Sequence, residues 1–212
     1  MSIDDIRDVD FWFDPSCPWT WITSRWLVSV AQCRSLSITW HPYSLLFANE
    51  GADISQEYRD HLAHGSVWSR LCAGVYEQYP DLLGQCYTRI GQMIHGSEQP
   101  AQVAQVVAAI AEVTGDAQVG QRALDGGYDE VLRQQTQVGR ALVGTDVGVP
   151  IIGFGDRGIF GPVLSPAPTG QQALRLWDAV VNATMIDGFY ELKRTRTVPP
   201  IFAVPEGQSL QS

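Results

Sequence analysis

The sequence predicts an α/β fold built from a β-α-β half and a β-β-α half, with a large all-helical insertion between them. Three observations carry this expectation. A β-prone run, "VDFWFD", leads into a long helical stretch at one end of the chain. About a hundred residues, from Phe47 to Gly144, then carry helical periodicity and no strand signal. "VGVPIIGFGDRGIFGPV" afterwards returns to β chemistry, ahead of one last amphipathic helix.

Taken in order, Val9 to Asp14 is a short strand closed by Pro15. Pro18 to Ser35 contains few breakers and sets Ile22, Trp26 and Val30 four residues apart, which is helical spacing. A second strand is expected from Ser37 to His41, ended by Pro42, and the connection is short enough for a βαβ unit. Helices are then expected over 55–79 and 80–96, and over 99–115 with Pro100 near the start and Gly115 as C-cap. Two more follow over 116–127, with Asp116 as N-cap, and over 128–144. After Pro150, two apolar runs flank a turn over Gly155 to Gly158 and read as a hairpin. The final helix covers 169–184, and the polar tail 204–212 is expected to fray. Without the insertion, this is the thioredoxin order. The expected organisation is a thioredoxin-like domain over 1–46 and 145–203, a helical insertion over 47–144, and a flexible tail.

Composition narrows the function. The chain has 212 residues, 45% hydrophobic and 17% charged, enough apolar material for a sizeable core. Its net charge of -9 would repel a phosphate backbone, so nucleic acid is not an expected partner. No apolar run is long enough for a membrane span, and the acidic start "MSIDDIRDVD" lacks a secretory signal. A cytoplasmic setting with reduced thiols is therefore expected for Cys17, Cys33, Cys72 and Cys86.

Cys17 stands out because it precedes a helix N-terminus, where unpaired N–H groups and the macrodipole favour a thiolate and a lowered pKa. The plain alternative is a buried structural cysteine. Pro18 suits the first helical turn. Trp19 and Trp21 flank the thiol and suit a flat conjugated ligand or, equally, the core, whereas Trp12 and Trp26 are assigned to the core. His61 and His64 share a helix face with Trp68, and an exposed face is the simpler reading. No spacing completes a metal-ligand set.

"FWFDPSCPWTWITSRW", "VGVPIIGFG", "FGPVLSPAP" and "ELKRTRTVPP" together resemble the DsbA-like branch of the thioredoxin superfamily, and within it the actinobacterial mycothiol-dependent nitroreductases. The likeness runs from about Val9 to Phe202. It implies a cis proline facing the thiol, matched by Val149-Pro150, where the other reading is a trans proline opening an edge strand. It also implies a pocket role for His95, at the end of an Ile-His run. Members of that group typically carry Cys-Pro-Trp-Cys, and this chain has Thr20 in place of the second cysteine. A hydroxyl cannot resolve a mixed disulfide. Cys33 lies sixteen residues further along the same helix, roughly 24 Å away at 1.5 Å per residue. Cys72 and Cys86 read as packing residues. Lys193, Arg194 and Arg196 suit a carboxylate, a thiol cofactor or a carrier-protein phosphopantetheine, or else form a solvated segment.

Three functions follow. The first is a monothiol enzyme in which Cys17 adds reversibly to a conjugated polyenoyl or cinnamoyl-type substrate and isomerises it, with Thr20 and His95 assisting and no cofactor consumed. Pro18, Trp19, Trp21, Val149, Pro150, Arg194 and Arg196 would line that site, and the substrate would be a small molecule or one borne on an acyl carrier protein. The second is a mycothiol-dependent reductase, and the third a non-catalytic binding module. A homodimer is left open.

Overall fold

A computed structural model describes residues 6–96, 99 and 101–202. Strand β1 (Asp8–Phe13) pairs in parallel with β2 (Ser37–Pro42) on one side and antiparallel with β3 (Ile151–Phe154) on the other. Strand β4 (Arg157–Phe160) completes the sheet in the order β2-β1-β3-β4. Helix α1 (Pro18–Arg34) connects β1 to β2, and α8 (Gly170–Thr184) follows β4. This is the thioredoxin arrangement with a helical insertion.

The period of two in β1 separates two apolar clusters. Val9, Phe11 and Phe13 enter the main core with Trp26 of α1 and Trp177 of α8. Trp12 belongs to a smaller cluster with Cys17, Tyr43, Val149 and Ile151. Trp26 is also fixed by its indole N–H, which donates to the Ala173 carbonyl at 3.1 Å.

The insertion consists of α2 (Leu45–Ala48), α3 (Gln56–Gln78), a 3₁₀ turn at Pro80–Leu82, α4 (Leu83–His95), α5 (Val103–Thr114), α6 (Gln118–Leu124) and α7 (Asp129–Val143). Helix α3 begins where the Ser55 hydroxyl accepts from the Tyr58 N–H at 3.2 Å. Small residues let these helices lie close to the sheet half. A Cβ on Gly84 would come within 2.5 Å of the Trp40 indole, and one on Gly65 within 2.6 Å of Ser16. Tyr87 of α4 stacks on Phe13 of β1 with centroids 3.8 Å apart, so the two halves of the chain share one core.

Several boundaries differ from the sequence expectation. The helix expected over 80–96 opens as a 3₁₀ turn, because Pro80 and Asp81 precede the first residues that continue an α ladder. Ala117, not Asp116, is the N-cap of α6, although the Asp116 carboxylate still accepts from the Gln118 N–H at 2.8 Å. Gly158 is paired in β4 opposite Gly153 and is not part of the turn. Gly115 does cap α5 at φ +73°. Pro100 and the tail 204–212 lie outside the described residues.

Candidate active site

The turn from β1 into α1 is built around Asp14, whose side chain is buried. Its Oδ1 accepts from the Ser16 N–H at 2.9 Å, the Ser16 hydroxyl at 2.7 Å and the Ser69 hydroxyl of α3 at 3.1 Å. Its Oδ2 accepts from the Leu45 N–H at 2.8 Å. The Asp14 carbonyl also receives the Cys17 N–H at 3.0 Å. One carboxyl group thus ties the thiol loop to α3 and to the start of α2. Burial pushes its pKa above the ordinary 3.8, against the downward pull of the four bonds.

Cys17 is the N-cap of α1 and Pro18, half-buried, occupies the first turn. The Thr20 hydroxyl and the backbone N–H groups of Thr20 and Trp19 favour the thiolate, as the helix N-terminus predicts. Burial outweighs them. Cys17 is only 9% exposed, and desolvation, with a smaller contribution from the Asp14 charge, raises the thiol above its ordinary 9.0. The expected lowering is therefore corrected: desolvation of an anion in the small apolar cluster exceeds what three local dipoles return. Thr20 is fully buried, and its Oγ1 has no partner in bonding geometry among the described residues, so its proton remains free to meet a charged sulfur.

The Val149-Pro150 peptide is cis, and Val149 packs in the same cluster as Cys17. The Pro150 carbonyl accepts from the Gly161 N–H at 2.8 Å. Trp19 is half-buried against this cluster and carries the Arg196 guanidinium 5.0 Å from its ring centroid, a contact worth about 0.5–1 kcal/mol at an exposed site. Arg194 is exposed and makes no ion pair among the described residues. His95, at the end of α4, donates from Nε2 to the Pro15 carbonyl at 2.8 Å and stacks on Phe202 at 5.4 Å. Burial lowers its pKa, so the ring is neutral at pH 7.

Trp21 departs from the ligand-facing expectation. Arg25 lies 4.2 Å over its ring, Tyr87 meets its edge at 5.7 Å, and Gly91 of α4 lies against it, leaving it 6% exposed in the main core. His61 and His64 are exposed on α3, whereas Trp68 is buried. Cys33 is exposed at the far end of α1. Cys72 and Cys86 are fully buried, and burial pushes Cys86 up to about 11 and Cys72 well above its ordinary value.

Sequence reasoning missed three site residues, of which only Asp14 carried a signal, as an acid wedged between a buried strand and a proline three residues before the thiol. Tyr58, on the first turn of α3, is 41% exposed, and its phenol is raised by burial and then by the charge of Cys17. Tyr43 is buried in the thiol cluster, its hydroxyl has no partner among the described residues, and burial pushes it up to about 12. A groove of about 710 Å³ lies elsewhere, between α1, β2, α4 and α5, and contains no cysteine. Among the described residues no group of His, Cys, Asp or Glu side chains is placed to hold a metal, and no helix is long and apolar enough to cross a membrane.

A family model described as "Mycothiol-dependent nitroreductase Rv2466c" matches residues 16–194. The chain belongs to the Rv2466c-like family. The uncharacterized protein Rv2286c of Mycobacterium tuberculosis is 29% identical over 192 residues, covering 89% of this chain and 82% of that protein. Among solved structures, a 2-hydroxychromene-2-carboxylate isomerase superposes with TM-score 0.55 at 17% identity, covering 82% of this chain and 94% of that one. A probable DsbA oxidoreductase, SCO1869 of Streptomyces coelicolor, superposes with TM-score 0.51 at 15% identity, covering 97% and 99%. At those identities the structures share the fold with this Rv2466c-like chain.

Proposed function

We propose that this Rv2466c-like protein is a monothiol cis-trans isomerase of a conjugated acyl substrate of polyenoyl or cinnamoyl type. The observation that carries the reading is a single sulfur at the head of α1 with Thr20, not a second thiol, in the first turn of that helix. The Cys17 thiolate forms a C–S bond at the β-carbon, and the C=C electron pair moves to the carbonyl as an enolate. The former double bond rotates, the enolate collapses, and the C–S bond breaks to return the thiolate. No electrons are gained or lost overall. Thr20 donates to the sulfur each time it carries charge, and the Trp19 and Thr20 N–H groups add to that. Val149, packed in the same cluster as Cys17, forms the wall beside the sulfur, with the cis Pro150 following it. His95, neutral and committed to the Pro15 carbonyl through Nε2, fixes the loop and leaves Nδ1 for a proton.

A second reading has its own support, the family match. A disulfide formed at Cys17 has no protein thiol beside it, since Cys33 is at the far end of α1 and Cys72 and Cys86 are buried in the main core. A low-molecular-weight thiol such as mycothiol would supply the second sulfur. One experiment separates the readings. Candidate polyenoyl and cinnamoyl thioesters are incubated with wild type and Cys17→Ala without reductant, and cis/trans ratios are followed chromatographically. Interconversion by wild type and none by Cys17→Ala is expected. Turnover of nitro compounds that requires mycothiol, with no isomerisation, would transfer the assignment to reduction.

A further inference from the structure

From 189 to 202 the chain forms neither helix nor strand, yet it is fastened at three points. Arg196 lies over Trp19. The Ser165 hydroxyl donates to the Pro199 carbonyl at 2.6 Å and accepts from the Ile201 N–H at 2.9 Å, closing a two-bond clasp. Phe202 stacks on His95, which holds the loop before Cys17. This strap therefore runs from Trp19, two residues after the thiol, to His95, whose ring bonds the Pro15 carbonyl two residues before it.

Its charge is unlike that of the rest of the chain. Lys193 is the only lysine in the sequence, and with Arg194 and Arg196 it places three of fourteen cationic residues in four positions of a chain of net charge -9. All three are exposed, and among the described residues none pairs with a carboxylate. The opposite charge near the sulfur is Asp14, on the inner side and already satisfied by four donors. Tyr58, Tyr43 and His95, which also stand around the site, are neutral at pH 7. A planar guanidinium held on an indole is suited to a carboxylate or phosphate arriving beside the thiol.

We infer that Arg196, held over Trp19 by the Ser165 clasp, is the specificity-determining residue that selects substrates bearing an anionic oxygen group for reaction at Cys17. The inference rests on the proposed function in taking Cys17 as the reacting group. The anion is either a free carboxylate of the conjugated substrate or the phosphate of a carrier arm.

Charge-matched thiol reagents test it. Methanethiosulfonates ending in a sulfonate or a trimethylammonium group are reacted with the folded protein, and peptide mass spectrometry reads Cys17 separately from the exposed Cys33, the internal reference. The sulfonate-to-ammonium rate ratio at Cys17, normalised to Cys33, should fall about fivefold in Arg196→Gln and be retained in Arg196→Lys. Ser165→Ala should also lose the preference, with both absolute rates rising as the strap is released. An unchanged ratio in Arg196→Gln overturns the inference. Protection by phosphopantetheine and not pantetheine assigns the anion to a phosphate, and protection by cinnamate and not cinnamamide assigns it to a carboxylate. Isomerase turnover surviving in Cys17→Ala would instead remove the covalent mechanism, a result independent of the charge ratio.

Discussion

Asp14 and Cys17 compete for the same buried space, and the outcome sets the chemistry of the thiol. The carboxylate is needed by Leu45, Ser16 and Ser69, while its charge opposes ionisation of the sulfur. Because the folded pKa of Asp14 lies above 3.8, the native state holds its proton more tightly than the unfolded chain does. Its ionisation therefore removes stability as pH rises from about 3.8 through the folded value. For Cys17 the expected outcome is an iodoacetamide rate that still climbs about tenfold per pH unit through pH 8 and levels off only above 9.0. A plateau below pH 8 would contradict the burial argument. Thr20→Val should push the levelling-off higher by removing the largest favourable dipole. Asp14→Ala should move it lower, and should cost about 2–3 kcal/mol in urea unfolding by leaving buried donors unpaired. Cys17 was legible in the sequence from its place before a helix. The direction of its pKa was not, because a helix N-terminus is visible in local order whereas burial depends on Tyr43, Val149 and Ile151, which come from distant segments. Which of the two readings of Trp21 holds, ligand face or core, was not legible for the same reason, since Tyr87 and Gly91, which cover it, are on α4.

At the scale of elements, α4 is the piece whose seating matters most to the site. Its C-terminal His95 holds the Pro15 carbonyl, and its middle rests on α1 through Gly91 and Trp21. A Cβ at Gly91 would fall within the van der Waals envelope of the Trp21 ring, which has no room to swing because Arg25 and Tyr87 confine it. Gly91→Ala should therefore lower stability by about 1–3 kcal/mol despite its better helix propensity, and should weaken His95 packing against Phe202. Denaturant midpoints measure the first effect and reactivity of Cys17 the second. A stabilised variant would show that α4 can shift freely. Strand and helix order was readable because proline and glycine punctuate each change of period, from Pro15 and Pro42 to Gly115. What could not be read was how each helix starts, as at the 3₁₀ turn of Pro80–Leu82, because the first turn depends on which donors find tertiary partners.

Across the whole molecule, the insertion and the sheet half do not have separate interiors. Phe13 stacks on Tyr87, Trp40 rests on Gly84, and Ser69 bonds Asp14. We therefore expect one cooperative unfolding transition, with far-UV circular dichroism and tryptophan fluorescence giving coincident midpoints in urea. Two separated transitions would mean that the 47–144 segment folds as its own domain. The strap has a practical consequence at this scale. Since Lys193 is the single lysine and stands exposed three residues before the arginine on Trp19, an amine-directed dye would mark the strap and, apart from the α-amine, nothing else. Its quenching by the neighbouring indole would turn each loosening of the clasp into an optical signal, giving a native reporter of access to the sulfur without any engineered residue.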